Sequence, residues 1–451
     1  MLVNNTLMLR MPKFKLKLLL GIFLVLIFTG NAFAQISYAE DNWYFGSSNY
    51  AIRFARPGQT VSLDSTHMSP PFGRFGNATA TEPETGNLLF YTDGQFVYDA
   101  NFQLMDGIIA GNPSFLLNAD VNKNQNTAVI SVPGSNNQYL IFTNTPANTI
   151  NYSLVDMSLP GNAVFPQPNL GSISTFNQSI PASSATPADA MLALAKTDLS
   201  GYWLITVDQA SDAYKVLNIS GANPASWTEQ TYNLGIPLTA ANMSYSDASQ
   251  KIAVAPESQN TNIQILDFDR STGILAYDTV VLNSGNADQL TEAIYDTEWS
   301  PDGTKLYISR YGGAANTGDL LQWDSTLPAT SALVSVLPAQ VFGSYGLQTG
   351  PDGNIYHLYQ EFSGGPYVLA GLSDADSVAT AVQYTTTIFG SQDFNSQQFP
   401  ALLPPRQLVL SVDFDFAGTC ANSPTTFYPL FPRHRIVFSG ISVMVPAAHF
   451  N

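Results

Sequence analysis

The 451-residue chain has one cysteine, four histidines, and only 17 Lys and Arg residues against 34 Asp and Glu. A single cysteine cannot pair within the chain, which excludes a disulfide framework. The formal charge of −17 runs against nucleic-acid binding, which wants a basic face. Charged residues make up 11% of the chain, while hydrophobic residues reach 45% and aromatics 12%. That balance excludes a disordered chain and a coiled coil. The sequence contains no His-Glu-x-x-His or Cys-x-x-Cys zinc spacing, no Gly-x-Ser-x-Gly nucleophile elbow and no Gly-x-x-x-x-Gly-Lys phosphate loop. What it has in quantity is glycine, 32 residues, and proline, 28. Many short strands joined by tight turns would use them, so the composition points to a large all-β protein.

Long apolar runs are scarce as well. The one marked run, residues 18–28, is apolar except for Gly21. It is about 11 residues long, whereas a membrane-spanning helix needs about 20. Arg10, Lys13, Lys15 and Lys17 precede it and Ala32-Phe33-Ala34 follows. A basic start, a short apolar stretch and an Ala-x-Ala end make residues 1–34 a secretory signal peptide. Cleavage after Ala34 leaves 13 basic and 34 acidic side chains, a formal charge of −21. The expected product is exported, acidic, without an integral membrane segment, and not a nucleic-acid binder.

A repeat organises the rest. Ser300-Pro301-Asp302-Gly303-Thr304-Lys305-Leu306-Tyr307 and Gly350-Pro351-Asp352-Gly353-Asn354-Ile355-Tyr356 are the same turn-then-strand unit, 50 residues apart. Weaker copies begin near Gly86, Asn137, Gly201 and Gln250. Each unit holds further short strands, such as 263–267 and 320–324. Three or four strands in about 50 residues describe a β-propeller blade, since solenoid coils are shorter and sandwich domains are longer. The ordered region, 42 to about 403, gives seven blades, with six and eight left open by the arithmetic. The propeller is assigned to 35–407. Its first strands, Trp43 to Phe45 and Ala51 to Phe54, are expected to complete the last blade beside Ala381 to Ile388. Pro187 to Ala195 reads as a buried inner strand.

Asn42-Trp43-Tyr44-Phe45-Gly46, Gly86-Asn87-Leu88-Leu89-Phe90-Tyr91-Thr92-Asp93-Gly94 and the two Pro-Asp-Gly blades resemble a known family. It is the N-terminal β-propeller region of large, type IX-secreted surface proteins of gliding bacteria. The resemblance implies PKD-type, immunoglobulin-like domains after the propeller and a C-terminal sorting domain. That family has no established catalytic residues to transfer. Residues 408–427, which include Asp413-Phe414-Asp415-Phe416 and Cys420, resemble the start of such a PKD domain. After Phe427 the pattern stops. Residues 428–451 are too few for a sandwich domain and read as an aberrant tail, from a shifted frame or a truncated gene. A chain lacking the sorting domain would remain periplasmic; otherwise the cell surface or the medium is expected.

Candidate chemistry is sparse. His357 sits within a strand and reads as a packed residue, and His67 lies in an unsupported loop. Asp374 and Asp376, flanked by Ser373 and Ser377, are the best carboxylate pair for a metal, and calcium is the ion such hard oxygens would take. The competing reading is a turn whose carboxylates bind their own backbone. No other cofactor is expected. Trp203, Trp299 and Trp323 read as packing between blades. Tyr295, Tyr311 and Tyr345, near strand ends, are candidates for an exposed carbohydrate platform. The function expected is non-enzymatic binding or adhesion toward a protein or carbohydrate, with a calcium-dependent esterase or a glycosidase as the alternative.

Overall fold

The computed structural model describes residues 37–55, 60–65, 73–105, 116–406, 413–417 and 426–430, less short stretches at 165, 182, 210, 212, 236–237, 239, 258–261, 282–292, 313–317 and 330. The expected signal peptide, His67, Cys420 and most of the tail lie outside the described residues.

Seven sheets form a seven-bladed β-propeller. Blade 1 has three strands, Asn42–Trp43, Ala51–Ala55 and Thr60–Asp64. Blade 2 has Asn77–Thr81, Leu88–Thr92 and Val97–Asp99, joined by Pro400–Leu402 from the far end of the chain. Blades 3 to 7 are four-stranded antiparallel meanders whose first strands are Thr127–Ser131, Pro187–Ala195, Asn242–Ser246, Ala293–Trp299 and Gly343–Thr349. First strands of successive blades contact one another from blade 1 through blade 7. Pro187–Ala195 is thus an inner strand, as its sequence suggested.

Each of the six repeated turns joins the first and second strand of its blade. Gly303 and Gly353 occupy the same place, with φ of +72° and +78°, which side chains tolerate poorly. Their surroundings differ. A Cβ on Gly303 would lie 2.6 Å from Ser246 Oγ and 2.9 Å from Ser249 N, whereas one on Gly353 would meet nothing within 4 Å. Gly353→Ala is expected to cost about 1 kcal/mol of backbone strain, and Gly303→Ala clearly more, because a neighbouring turn must move. Paired urea denaturation curves test this ordering, and equal costs would refute it.

The core is divided among seven apolar clusters, one at each junction between neighbouring blades. Alternating residues supply it: one face of a blade packs on the preceding blade and the other on the next. Trp203 lies in the cluster between blades 4 and 5, and Trp299 and Trp323 lie between blades 5 and 6. His357 is fully buried in blade 7, with Nε2 2.8 Å from Ser344 Oγ and Nδ1 2.9 Å from the Tyr384 hydroxyl. Burial pushes its pKa down to about 3, so it is a neutral packing residue.

The ring closes differently from the sequence expectation. Residues 381–388 do not receive the first strands. Blade 7 already has its own fourth strand, Gln383–Thr385, and blade 1 is a separate sheet. Closure falls on Pro400–Leu402, which pairs in parallel with Asn77–Thr79 of blade 2. On the way, the segment lies inside blade 1. Ser47 N donates to Asn395 O (3.3 Å), Gly346 N of blade 7 donates to Gln397 O (2.9 Å), and Gln397 N donates to Arg74 O (2.9 Å). Beyond it, the buried Arg406 guanidinium donates to Asn136 O at 2.8 Å and to Glu84 at 2.9 Å.

Past the propeller, Asp413–Ala417 and Thr426–Leu430 pair antiparallel. The second strand crosses the boundary expected at residue 427. An immunoglobulin-like domain is not established by one strand pair.

Candidate functional site

The first strands enclose a central channel with a cavity of about 280 Å³. It is lined from blade 2 through blade 7 and by residues 398–402 of the closing segment. One mouth lies where the first strands begin and the second strands end.

Bulges shape that mouth. The ladder of blade 6 shifts register between Ile294 and Asp296, and that of blade 7 between Ser344 and Leu347. A bulge re-aims the side chain that falls out of step. Here those side chains include Tyr295 and Tyr345, 50 positions apart and so at the same place in the repeat. Their rings meet edge-on at 5.4 Å. Tyr311, at the end of the second strand of blade 6, lies 5.7 Å from Tyr345, and Tyr367 lies 5.3 Å from it on the other side. The Arg74 guanidinium sits 5.4 Å over the Tyr367 ring.

The three tyrosines singled out from the sequence are therefore neighbours, but they are not equally available. Tyr311 is 39% exposed, whereas Tyr295 and Tyr345 are buried, at 6% and 2%. As exposed platform residues, Tyr295 and Tyr345 are a correction: they belong to inner strands and their hydroxyls turn inward. Tyr295 donates to Asn124 Oδ1 (3.2 Å) and Tyr345 to Gln360 Oε1 (2.9 Å). A second exposed ring, Phe362, follows the second strand of blade 7 on the same face.

Below the tyrosines the channel is polar, and sequence reasoning missed this part. Residues 124 and 125 reach across it from blade 3. The Gln125 side-chain amide makes two hydrogen bonds to Met243 of blade 5, donating to its carbonyl at 2.8 Å and accepting from its N–H at 2.9 Å. Asn124 donates to Glu257 and accepts from Tyr295, tying blades 5 and 6. Asp296 and Glu298 stand two residues apart on the first strand of blade 6 and both line the cavity. Asp296 accepts from Thr297 N (2.8 Å) and from Leu347 N (3.0 Å), so one carboxyl fastens the bulge of the next blade. Glu298 accepts from Thr349 Oγ1 at 2.9 Å. The signal for this pair was present in the sequence: two acids in register inside a strand that the repeat makes an inner one.

Burial dominates the proton affinities here. It pushes Asp296 up to about 7, against its backbone donors. It pushes Glu298 to about 8, against the Thr349 bond and with help from the Asp296 charge. Glu298 lines the cavity and keeps part of its surface exposed, so the burial that raises its proton affinity is incomplete. Glu257 is pushed to about 8 by burial, with Asp189 and Asp296 adding to the effect. Asp189 rises to about 6 by burial, opposed by the charge of Lys123. Lys123 itself is held by Asn144 Oδ1 at 2.9 Å and Asn148 Oδ1 at 2.6 Å.

Asp374 and Asp376 lie away from the channel, in the turn after the third strand of blade 7. Asp376 accepts from Asp302 N at 2.9 Å, linking this turn to the Pro-Asp-Gly turn of blade 6. No group of three or more His, Cys, Asp or Glu able to hold a metal occurs among the described residues. No helix among them is long and apolar enough to cross a membrane.

No protein-family model matches this sequence, and no curated protein does. Similar solved structures include a protein from Lactobacillus plantarum, at 14% identity and a TM-score of 0.47, over 80% of this chain and 98% of that one. A putative 6-phosphogluconolactonase from Bacteroides fragilis is 10% identical, with a TM-score of 0.46 over 80% and 98% of the two chains. The periplasmic gluconolactonase of Pseudomonas aeruginosa is 12% identical, with a TM-score of 0.43 over 78% and 97%. At such values the likeness is one of general architecture. The seven blades are counted from this chain's own sheets.

Proposed function

We propose that the protein is an exported, non-enzymatic β-propeller that binds a glycan at the cell surface or as a secreted module, with the ligand seated on the channel mouth over Tyr311. The observation that carries this reading is the convergence of Tyr311, Tyr345 and Tyr367 at one mouth, with the Tyr311 ring open to solvent and braced from behind. A braced, partly exposed ring stacks on the C–H face of a sugar with little loss of conformational freedom. The signal-like residues 1–34 and the family resemblance support export, and the resemblance also supports a surface-binding role.

The test is binding of the full chain to immobilised polysaccharides, compared with Tyr311→Ala. Loss of one stacked ring at about 1.5 kcal/mol predicts affinity about tenfold weaker. Unchanged affinity for every retained polysaccharide would reject the platform. A protein ligand at the same mouth is the outcome if polysaccharides are not retained but a Tyr311-dependent protein contact is found. A propeller hydrolase is the second reading, favoured by one observation: Asp296 and Glu298 are two carboxyls facing one cavity. They sit side by side on one strand, whereas glycosidase carboxyls flank the scissile bond. Release of reducing ends from a bound polysaccharide, abolished in Glu298→Gln, would promote that reading over the first.

A further inference from the structure

We propose that the glycan seated over Tyr311 carries an oxyanion, a uronate carboxylate or a sulfate ester, and that Arg74 is the residue that binds it. This deepens the binding reading above and rests on it. Reach comes first. Arg74 stands in the loop before the first strand of blade 2, at the same end of the ring as Tyr311. Three contacts lead from one to the other: Tyr311 to Tyr345 at 5.7 Å, Tyr345 to Tyr367 at 5.3 Å, and Tyr367 to the Arg74 guanidinium at 5.4 Å. Open ring and cation therefore edge one mouth, and a short oligosaccharide spans both.

Availability separates Arg74 from other cations at this end. Arg310 is buried and bonds Asp319 Oδ1 through Nε at 2.8 Å. Lys123 is buried and taken up by Asn144, Asn148 and the Thr145 carbonyl. Arg74 is exposed and has no carboxylate partner among the described residues. Its side chain makes one hydrogen bond there, from Nη1 to the Tyr367 hydroxyl at 3.4 Å. A guanidinium carries five N–H donors, so most of them are left for a ligand. Glu361 and Asp393, acids on the same face, are engaged elsewhere. Glu361 accepts from the Tyr359 hydroxyl at 3.4 Å, and Asp393 Oδ1 accepts from Tyr367 N at 3.0 Å and Asn395 N at 2.8 Å.

Arg74 is also held in place. Its carbonyl accepts from Gln397 N at 2.9 Å and from Ser396 Oγ at 3.2 Å. The Tyr367 hydroxyl that it bonds accepts a second bond, from Gln397 Nε2 at 3.0 Å. A planar fork stacked on a fixed ring matches the paired oxygens of an oxyanion and loses little freedom on binding. The formal charge of −17 repels a polyanion at long range. At physiological salt, however, exposed charges are screened beyond about 8 Å, so an unpaired cation at the mouth outweighs acids elsewhere.

The experiment measures binding of the full chain to two pairs of immobilised polymers that differ in charge. One pair is polygalacturonate and its methyl ester; the other is dextran sulfate and dextran. Wild type, Arg74→Gln, Arg74→Lys and Tyr311→Ala are compared, each checked for native circular dichroism. The expected result is a preference of about fivefold or more for the acidic member of at least one pair, shrinking as salt is raised. The pair that shows it names the source of the oxyanion. The preference should vanish in Arg74→Gln, weaken in Arg74→Lys, which keeps the charge but loses the fork, and survive as a ratio in Tyr311→Ala. A preference that persists in Arg74→Gln would overturn the proposal. Equal binding of acidic and neutral members, still weakened in Tyr311→Ala, would overturn it while leaving the mouth platform standing. Retention of no polymer at all would overturn both.

Discussion

Raising the pH from 5 to 8.5 is expected to destabilise the folded protein, and Glu298→Gln and Glu257→Gln are expected to remove much of that loss. Four carboxyls in or beside the channel hold their protons more tightly folded than unfolded. Asp189 titrates at about 6, Asp296 at about 7, and Glu257 and Glu298 at about 8. In the unfolded chain, Asp and Glu titrate near 4. Between those limits the folded state binds more protons than the unfolded state, so stability falls as pH rises. Each pKa unit is worth about 1.4 kcal/mol, and even with mutual coupling the sum is on the order of several kcal/mol. Below pH 4 the slope reverses. Asp156, Asp302 and Asp324 have folded pKa values below the ordinary range, opposed by burial but held down by hydrogen bonds, and their contribution is lost as they protonate. The stability optimum is therefore expected near pH 5.

General repulsion in a chain of formal charge −17 would tilt the curve the same way, so the variants carry the test. Both positions keep their recorded hydrogen bonds on replacement by Gln, because Thr349 Oγ1 and Asn124 Nδ2 donate to an oxygen that Gln retains. At pH 8.5 each variant is expected to be more stable than wild type by about 1–3 kcal/mol, and at pH 5 nearly equal to it. Urea denaturation at the two pH values reads the difference. A variant no more stable than wild type at pH 8.5 would show that the channel is wet enough for its acids to ionise freely.

The architecture was legible because turns repeat. Six Gly- or Asp-containing turns at intervals near 50 mark the same junction in six blades, and a turn needing φ above zero leaves a strong sequence mark. Closure left no comparable mark. Pro400-Ala401-Leu402 is three ordinary residues, and its parallel pairing with Asn77–Thr79 joins positions more than 300 apart. No local pattern fixes such a register, so the first strands were placed on the wrong blade. The tyrosines were legible in position but not in exposure. Tyr295 and Tyr345 sit at bulges, and a bulge turns a side chain against the simple alternation from which a strand's faces are read. The channel acids went unremarked for the opposite reason. Asp296 and Glu298 obey alternation, and only the ring of seven blades makes their shared face a cavity instead of solvent.

Trp43→Ala is expected to cost about 3–5 kcal/mol, one of the largest losses available to a single substitution in this fold. Trp43 is fully buried at the junction where the ring closes. Its ring lies 5.0 Å from Phe54 of its own blade, 5.4 Å from Tyr356 of blade 7 and 5.3 Å from Phe399 of the closing segment, and its Nε1 donates to Glu40 O at 3.0 Å. Three parts of the chain that are distant in sequence therefore pack on one indole. Blade 1 has only three strands, and its first is two residues long, so few ladder hydrogen bonds can compensate for the missing ring. Trp227→Ala is the comparison. That indole is also buried, but it packs on Phe142 and Tyr152 of blade 3, within an ordinary junction between consecutive blades. Both substitutions should lower the urea midpoint. Only Trp43→Ala should also open the closing segment, read as faster hydrogen exchange at Gly346 and Gln397, whose N–H groups bond Gln397 O and Arg74 O. A loss below about 1 kcal/mol, or exchange at those two amides no faster than in Trp227→Ala, would mean that the parallel strand on blade 2 closes the ring without blade 1.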